Sequence, residues 1–264
     1  MALSALETDR LLNAAVAAMQ RGDFPAAHEA ASQGIEGGAE HPLLLKIEAL
    51  WLNANGQHRD ALRLFHHART LTPNDPSVLN GIAGCLAGMG AYNAALKIID
   101  ESLSLASTAA PTHHLRGWIL ELREDYAVAG QAYERALQLA PNFPEAAAGV
   151  ALMAAKTGDF PVAHSYAARA LAMAPGHPVA RIAQALAIAA LGNPSLAEGD
   201  LRRLTESTDL PNRLRALAFA ALSEVFEKLN QPVEAASART KKNELMAHEP
   251  KPIEDALEDL ASAN

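Results

Sequence analysis

A 34-residue period runs through this sequence and limits it to folds built of stacked, near-identical units. Alanine returns at Ala27, Ala61, Ala95, Ala129, Ala163 and Ala197, and a small residue at Ala15, Ala49, Ala83, Gly117, Ala151 and Ala185. A third ladder carries Gly22, Gly56, Gly90, Gly158 and Gly192, and its missing rung is Glu124. Each unit reads as helix, tight turn, helix, because glycine permits a positive-φ turn between two helices. Proline stops the second helix at Pro73, Pro141 and Pro175. Small residues let paired helices approach closely. The bulky groups two places after the turn (Phe24, His58, Tyr92, Tyr126, Phe160) are expected to fill the space between pairs.

The composition agrees with helices. Half of the chain is hydrophobic and only 5% is aromatic, with alanine supplying much of the apolar total. The net charge of −8 argues against nucleic acid, whose binders need a basic stripe to displace counterions. Much of that charge is local: residues 249–264 hold five acids against Lys251 alone. Cys85 is the single cysteine, so no internal disulfide and no cysteine-based zinc site is expected. Glu7 and Asp9 precede the short apolar run Leu11–Met19, unlike a signal peptide, and no run approaches the roughly 20 apolar residues of a membrane span. The expectation is a cytoplasmic protein without a membrane partner.

The stretch Arg116–Pro141, with Gly117, Leu120, Asp125-Tyr126, Ala129, Tyr133, Ala136 and Pro141, resembles the tetratricopeptide repeat. That resemblance spans residues 8–249 as seven units beginning near 8, 42, 76, 110, 144, 178 and 216. It implies an all-α fold: a right-handed α-solenoid of seven antiparallel helix pairs that binds proteins rather than catalysing a reaction. More distantly, His41-Pro42 and Thr72-Pro73-Asn74-Asp75 resemble the repeat half of bacterial proteins that join such repeats to a sulfotransferase domain. No phosphate-binding loop follows the repeats here, so that likeness implies at most a regulatory or substrate-presenting module of a transferase system.

The register slips once. The alanine expected at 231 stands at Ala235, which puts four extra residues near Thr205–Pro211, read as a longer surface loop or a bend that re-aims the last pair. Polar Glu48, Arg116 and Gln184 also stand where the family usually has an apolar residue, and the sequence offers no reason for them.

No catalytic, metal or cofactor group is expected. The adjacent pairs His66-His67 and His113-His114 point about 100° apart on a helix and cannot chelate from one face, so the histidines read as solvated surface groups. The glycines of Gly81–Gly90 lie inside a helical unit, so they form no phosphate loop. Cys85 reads as a buried thiol. The chaperone-binding members of the family clamp a peptide carboxylate with inner-face cations, and Lys46 alone does not make such a clamp.

The function read from the sequence is therefore a scaffold holding an apolar peptide or helix on the concave face lined by the first helices. Gly81, Gly84 and Gly88 share one helix face, and three glycines inside a helix point to a close approach, by a ligand or by Trp118 or Trp51 of a neighbouring pair. The expected partner-binding residues are Leu50, Asn53, Asn80, Gly81, Gly84, His114, Trp118, Glu121, Leu152 and Leu186. Self-association through the solenoid ends is a further partner reading. In the tail, Ile253, Leu257 and Leu260 recur at helical spacing among Glu254, Asp255, Glu258 and Asp259. That pattern is read as an acidic amphipathic helix that caps the solenoid or occupies its groove.

Overall fold

The computed structural model describes residues 3–247. The acidic tail lies outside them. The described residues form fourteen α-helices and no strand, divided between two compact units that meet in sequence at Thr108 and Ala109.

Unit 1 holds three antiparallel pairs: α1 (Ala5–Gln20) with α2 (Phe24–Glu36), α3 (Pro42–Ala54) with α4 (His58–Leu71), and α5 (Pro76–Gly88) with α6 (Tyr92–Leu105). Unit 2 holds four: α7 (Ala110–Leu122) with α8 (Tyr126–Leu139), α9 (Pro144–Thr157) with α10 (Phe160–Met173), α11 (Pro178–Ala190) with α12 (Pro194–Glu206), and α13 (Asn212–Lys228) with α14 (Pro232–Met246). Within each unit a second helix also packs on the next first helix, and consecutive first helices touch one another. One layer of first helices and one of second helices result.

Local chemistry sets the helix ends. Ser4 and Glu7 form a reciprocal capping box at α1, and the carboxylates of Asp23, Asp75 and Asp159 accept backbone N–H bonds at the starts of α2, α5 and α10. Proline opens α3, α5, α9 and α11, where its missing N–H costs nothing. His41 and His177 accept a backbone N–H through Nδ1 at the starts of α3 and α11, so these imidazoles are caps rather than free surface groups.

The turn geometry obeys the ladder even where its glycine is missing. Gly22, Gly56, Gly90, Gly158 and Gly192 all have positive φ, and so do Glu124 (67°) and Asn230 (58°). An L-residue held there is strained by roughly 1–2 kcal/mol. The alanine ladder from Ala27 to Ala197 is buried throughout. Helix α9 is covered on every side: Ala146–Ala155 are all buried, which accounts for its lack of a polar face.

Two expectations need correction. The four extra residues do not lengthen the loop before α13. They are wound into α13 itself, which starts 34 residues after α11 and has 17 residues against 13. Phe24 fills no space between pairs, since 57% of it is exposed. One polar interruption is explained: Glu48 accepts a 2.7 Å bond from the His28 ring, which stacks on Trp51 at 4.6 Å between centroids. Among the described residues no helix is long and apolar enough to cross a membrane.

Candidate functional site

The Tyr133 ring of α8 needs a slot between neighbouring helices, and glycine supplies both of its walls. A Cβ at Gly117 would fall 2.8 Å from the ring, and one at Gly149 2.7 Å from it. Neither is compatible with the ring where it stands. Held there, Tyr133 donates its hydroxyl to the Glu121 carboxylate at 2.8 Å.

Beside this pair lies a cavity of about 480 Å³, within unit 2 and within the size range of ligand clefts. One side is apolar, with Trp118, Leu152, Met153, Leu214 and Leu217. The polar side carries Glu121, Glu145, Lys156, His114 and His177, with Arg213, Lys242 and Met246 completing the wall. Arg213 and Leu214 stand in the first turn of α13. The Arg213 guanidinium lies 5.6 Å from the centroid of the half-buried Trp118 ring, a cation–π arrangement.

Burial governs the ionisation of these groups. It pushes the Glu121 carboxyl up, against the Tyr133 hydrogen bond and the charges of Arg213 and Lys156, all of which favour its anion. Burial lowers His114, with Glu145 opposing and His177 adding to the shift, and His177 is lowered chiefly by burial as well. Tyr133 is raised by burial and by the Glu121 charge beside it. The polar side thus combines imidazoles biased toward neutrality, a carboxyl biased toward its protonated form and three cations. Among the described residues no group of three or more His, Cys, Asp or Glu side chains could hold a metal. Cys85 is buried and its thiol is pushed up to about 12.

Models of the tetratricopeptide repeat match residues 52–116, 110–143 and 151–211, together more than half of the chain. The chain belongs to the tetratricopeptide repeat family. Its fourteen described helices are the seven pairs of that right-handed α-solenoid class. The fold is similar to a tetratricopeptide repeat protein of Parabacteroides merdae ATCC 43184, at 16% identity and a TM-score of 0.62, over 98% of this chain and 100% of that one. It is similar to a chain of the APC/C hetero-tetramer Cut9-Hcn1, at 15% identity and 0.70, over 93% of this chain and 48% of that one. The type IV pilus biogenesis factor PilW matches at 19% identity and 0.61, over 81% and 96%. At these identities the likeness is one of fold. No curated protein sequence matches the chain. The matches carry the repeat, and the sulfotransferase association is not among what they show.

In this tetratricopeptide repeat protein the residues singled out from the sequence fall into two groups. His114, Trp118, Glu121 and Leu152 come together on the unit 2 cavity. Leu50, Asn53, Asn80, Gly81 and Gly84 lie in unit 1, and Leu186 is buried within unit 2. Leu50 is exposed, Asn53 bonds the His58 ring at 2.7 Å, and the Asn80 side chain accepts from Ser102 at 2.9 Å. The glycine face has a domestic cause, in neither of the forms expected. Gly81 is buried under Phe65, whose ring a Cβ would strike, and a Cβ at Gly88 would fall 2.5 Å from the His58 ring. Side chains of the same unit occupy those approaches rather than either tryptophan, and Gly84 has ordinary clearance, 3.6 Å to the Asn53 amide.

Sequence reasoning missed Tyr133, Gly149, Lys156 and Arg213 as parts of a site. Tyr133 entered the sequence reading only as a residue of the repeat pattern, and Gly149 did not enter it. Arg213 is shown beside Trp118 only by the packing of α13.

Proposed function

We propose that this tetratricopeptide repeat protein is a protein-interaction scaffold whose unit 2 cavity takes a peptide segment from its partner. The supporting observation is the half-buried Trp118 set beside an apolar wall, with Arg213 stacked on it and the Tyr133–Glu121 pair below. An aromatic flanked by an apolar recess and a few convergent polar groups is the usual composition of a binding hot spot. The segment would insert an apolar side chain against Leu152 and Leu217 and present polar groups to Arg213 and Lys156.

An array of synthetic peptides of varied sequence, probed with the full chain, identifies binders. Trp118→Ala should then weaken the best of them by on the order of tenfold or more. Leu50→Ala, which removes the unit 1 counterpart of Trp118, should leave them unchanged. Equal binding by Trp118→Ala, at unaltered helicity, would reject the cavity as the site.

A further inference from the structure

Two imidazoles share the polar side of the unit 2 cavity. His114 of α7 lies against the Tyr133 ring, 5.3 Å between centroids, and against the Phe143 ring at 5.0 Å. His177 stands at the start of α11, where its Nδ1 accepts the Ala180 N–H at 3.4 Å. A neutral imidazole that accepts through Nδ1 carries its proton on Nε2. A second proton, on Nδ1, would face the Ala180 N–H, so a charged His177 must give up this cap and turn from the helix end. The two rings act on one another, and both feel Glu145, an exposed carboxylate of α9 on the same wall.

An occupant of the cavity covers these rings and takes water from them. Loss of water penalises the charged form of an imidazole. The occupant therefore binds the neutral rings more tightly than the charged ones, releases protons as it binds, and is held less well as pH falls. The other charged groups of the lining are Lys156 of α9, Arg213 of α13 and Lys242 of α14, which share an imidazolium's sign, and Glu121 of α7, which opposes it. Tyr126 and Tyr133 of α8 are raised by burial, away from the range in which imidazoles titrate. Glu121 works in the opposite sense, because covering it favours its protonated form, but it starts from 4.5 against 6.5 for the rings. Burial holds both rings below that ordinary 6.5, so the fall in affinity begins below it.

We propose that the His114–Glu145–His177 cluster makes the unit 2 cavity acid-sensitive, so that an uncharged apolar peptide held near neutral pH is released in mild acid. The inference rests on the cavity being the peptide site.

The probe is the best Trp118-dependent peptide built of uncharged residues, acetylated and amidated at its ends so that it has nothing to titrate. Its affinity for the full chain, read by fluorescence anisotropy at constant ionic strength, should be level above about pH 6.5 and fall on the order of tenfold by about pH 5. Circular dichroism at each pH separates loss of binding from loss of fold. His114→Gln combined with His177→Asn, in which asparagine keeps an acceptor at the helix start, should flatten the profile whatever its level at neutral pH. Glu145→Gln removes the carboxylate that favours the charged rings and should move the fall to lower pH. Glu121→Gln removes the group of opposite sense and should steepen it. Calorimetry at about pH 6.5, in buffers of unequal ionisation enthalpy, should show protons released on binding, a readout that needs no acid exposure.

A level profile with helicity intact, or binding without proton release, would overturn the proposal and leave the scaffold reading standing. So would a fall that survives the double histidine substitution. Trp118-dependent binders that all carry charge would remove this inference alone. No Trp118-dependent binder at any pH would remove both readings.

Discussion

In unit 1 the Phe65 ring lies over Gly81, and two repeats further along the chain, in unit 2, the Tyr133 ring lies between Gly117 and Gly149. These are the same places in the repeat: Ala49, Phe65 and Gly81 in one unit correspond to Gly117, Tyr133 and Gly149 in the other. The surroundings also correspond, with Leu50 matching Trp118, Asn53 matching Glu121 and Gly88 matching Lys156. In unit 1 these positions are closed by the unit's own side chains. His58 fills the space over Gly88 and bonds Asn53, while Lys46 reaches Asp75 at 2.9 Å and Ser77 at 2.7 Å. In unit 2 the phenol carries a hydroxyl to Glu121, Tyr126 stands in place of His58, and the space remains a cavity. One ring slot therefore serves packing in one unit and holds a polar group at a recess in the other. The difference is made by a hydroxyl and an acid.

The largest effect should come from destroying the slot. Gly149→Val drives a branched side chain into the base of the Tyr133 ring, which has no flexible end to yield, and should cost about 3 kcal/mol in urea unfolding. It should also abolish peptide binding at the cavity. A loss well under 1 kcal/mol would mean that the ring is not confined as described.

Tyr133→Phe converts the unit 2 slot to the unit 1 form and should cost about 1 kcal/mol at neutral pH, because it leaves a half-buried carboxylate without its donor. The loss depends on pH in a fixed direction. The folded Glu121 carboxyl holds its proton more tightly than the unfolded chain does, since its pKa is raised above 4.5. Its contribution to stability therefore falls as pH rises from that ordinary value through the folded pKa. Removing the hydroxyl, which favours the anion, widens that window upward and steepens the decline. Urea midpoints at acid and neutral pH should thus diverge more in Tyr133→Phe than in the unaltered chain, and parallel curves would exclude the coupling.

The smallest effect sharpens a second contrast between the units. The turns within the three pairs of unit 1 use Gly22, Gly56 and Gly90, whereas unit 2 holds Glu124 and Asn230 at positive φ alongside Gly158 and Gly192. Glu124→Gly should relieve that strain and raise stability by about 1 kcal/mol, read as a higher melting temperature. A decrease would show that the Glu124 side chain contributes more than its backbone costs.

The sequence by itself determined the repeat, the helix–turn–helix unit, the turn positions and the burial of the alanine ladder. Each is a local or nearest-neighbour matter: a period, a positive-φ turn and a small contact side chain are written within one unit and its neighbour. It also placed Trp118, Glu121, His114 and Leu152 on one face, because register carries side-chain direction along a helix. Tertiary structure decided the rest. Only packing shows that Gly81 and Gly88 accommodate Phe65 and His58, that Gly117 and Gly149 together accommodate Tyr133, and that Glu48 is paired with His28. Only packing shows that the four inserted residues lengthen α13 rather than a loop, and that Arg213 lies over Trp118. The physical reason is that a glycine or an inserted residue looks alike in sequence whether a ligand, a ring or a helical turn takes up the space. Which of them does so depends on side chains from helices far along the chain.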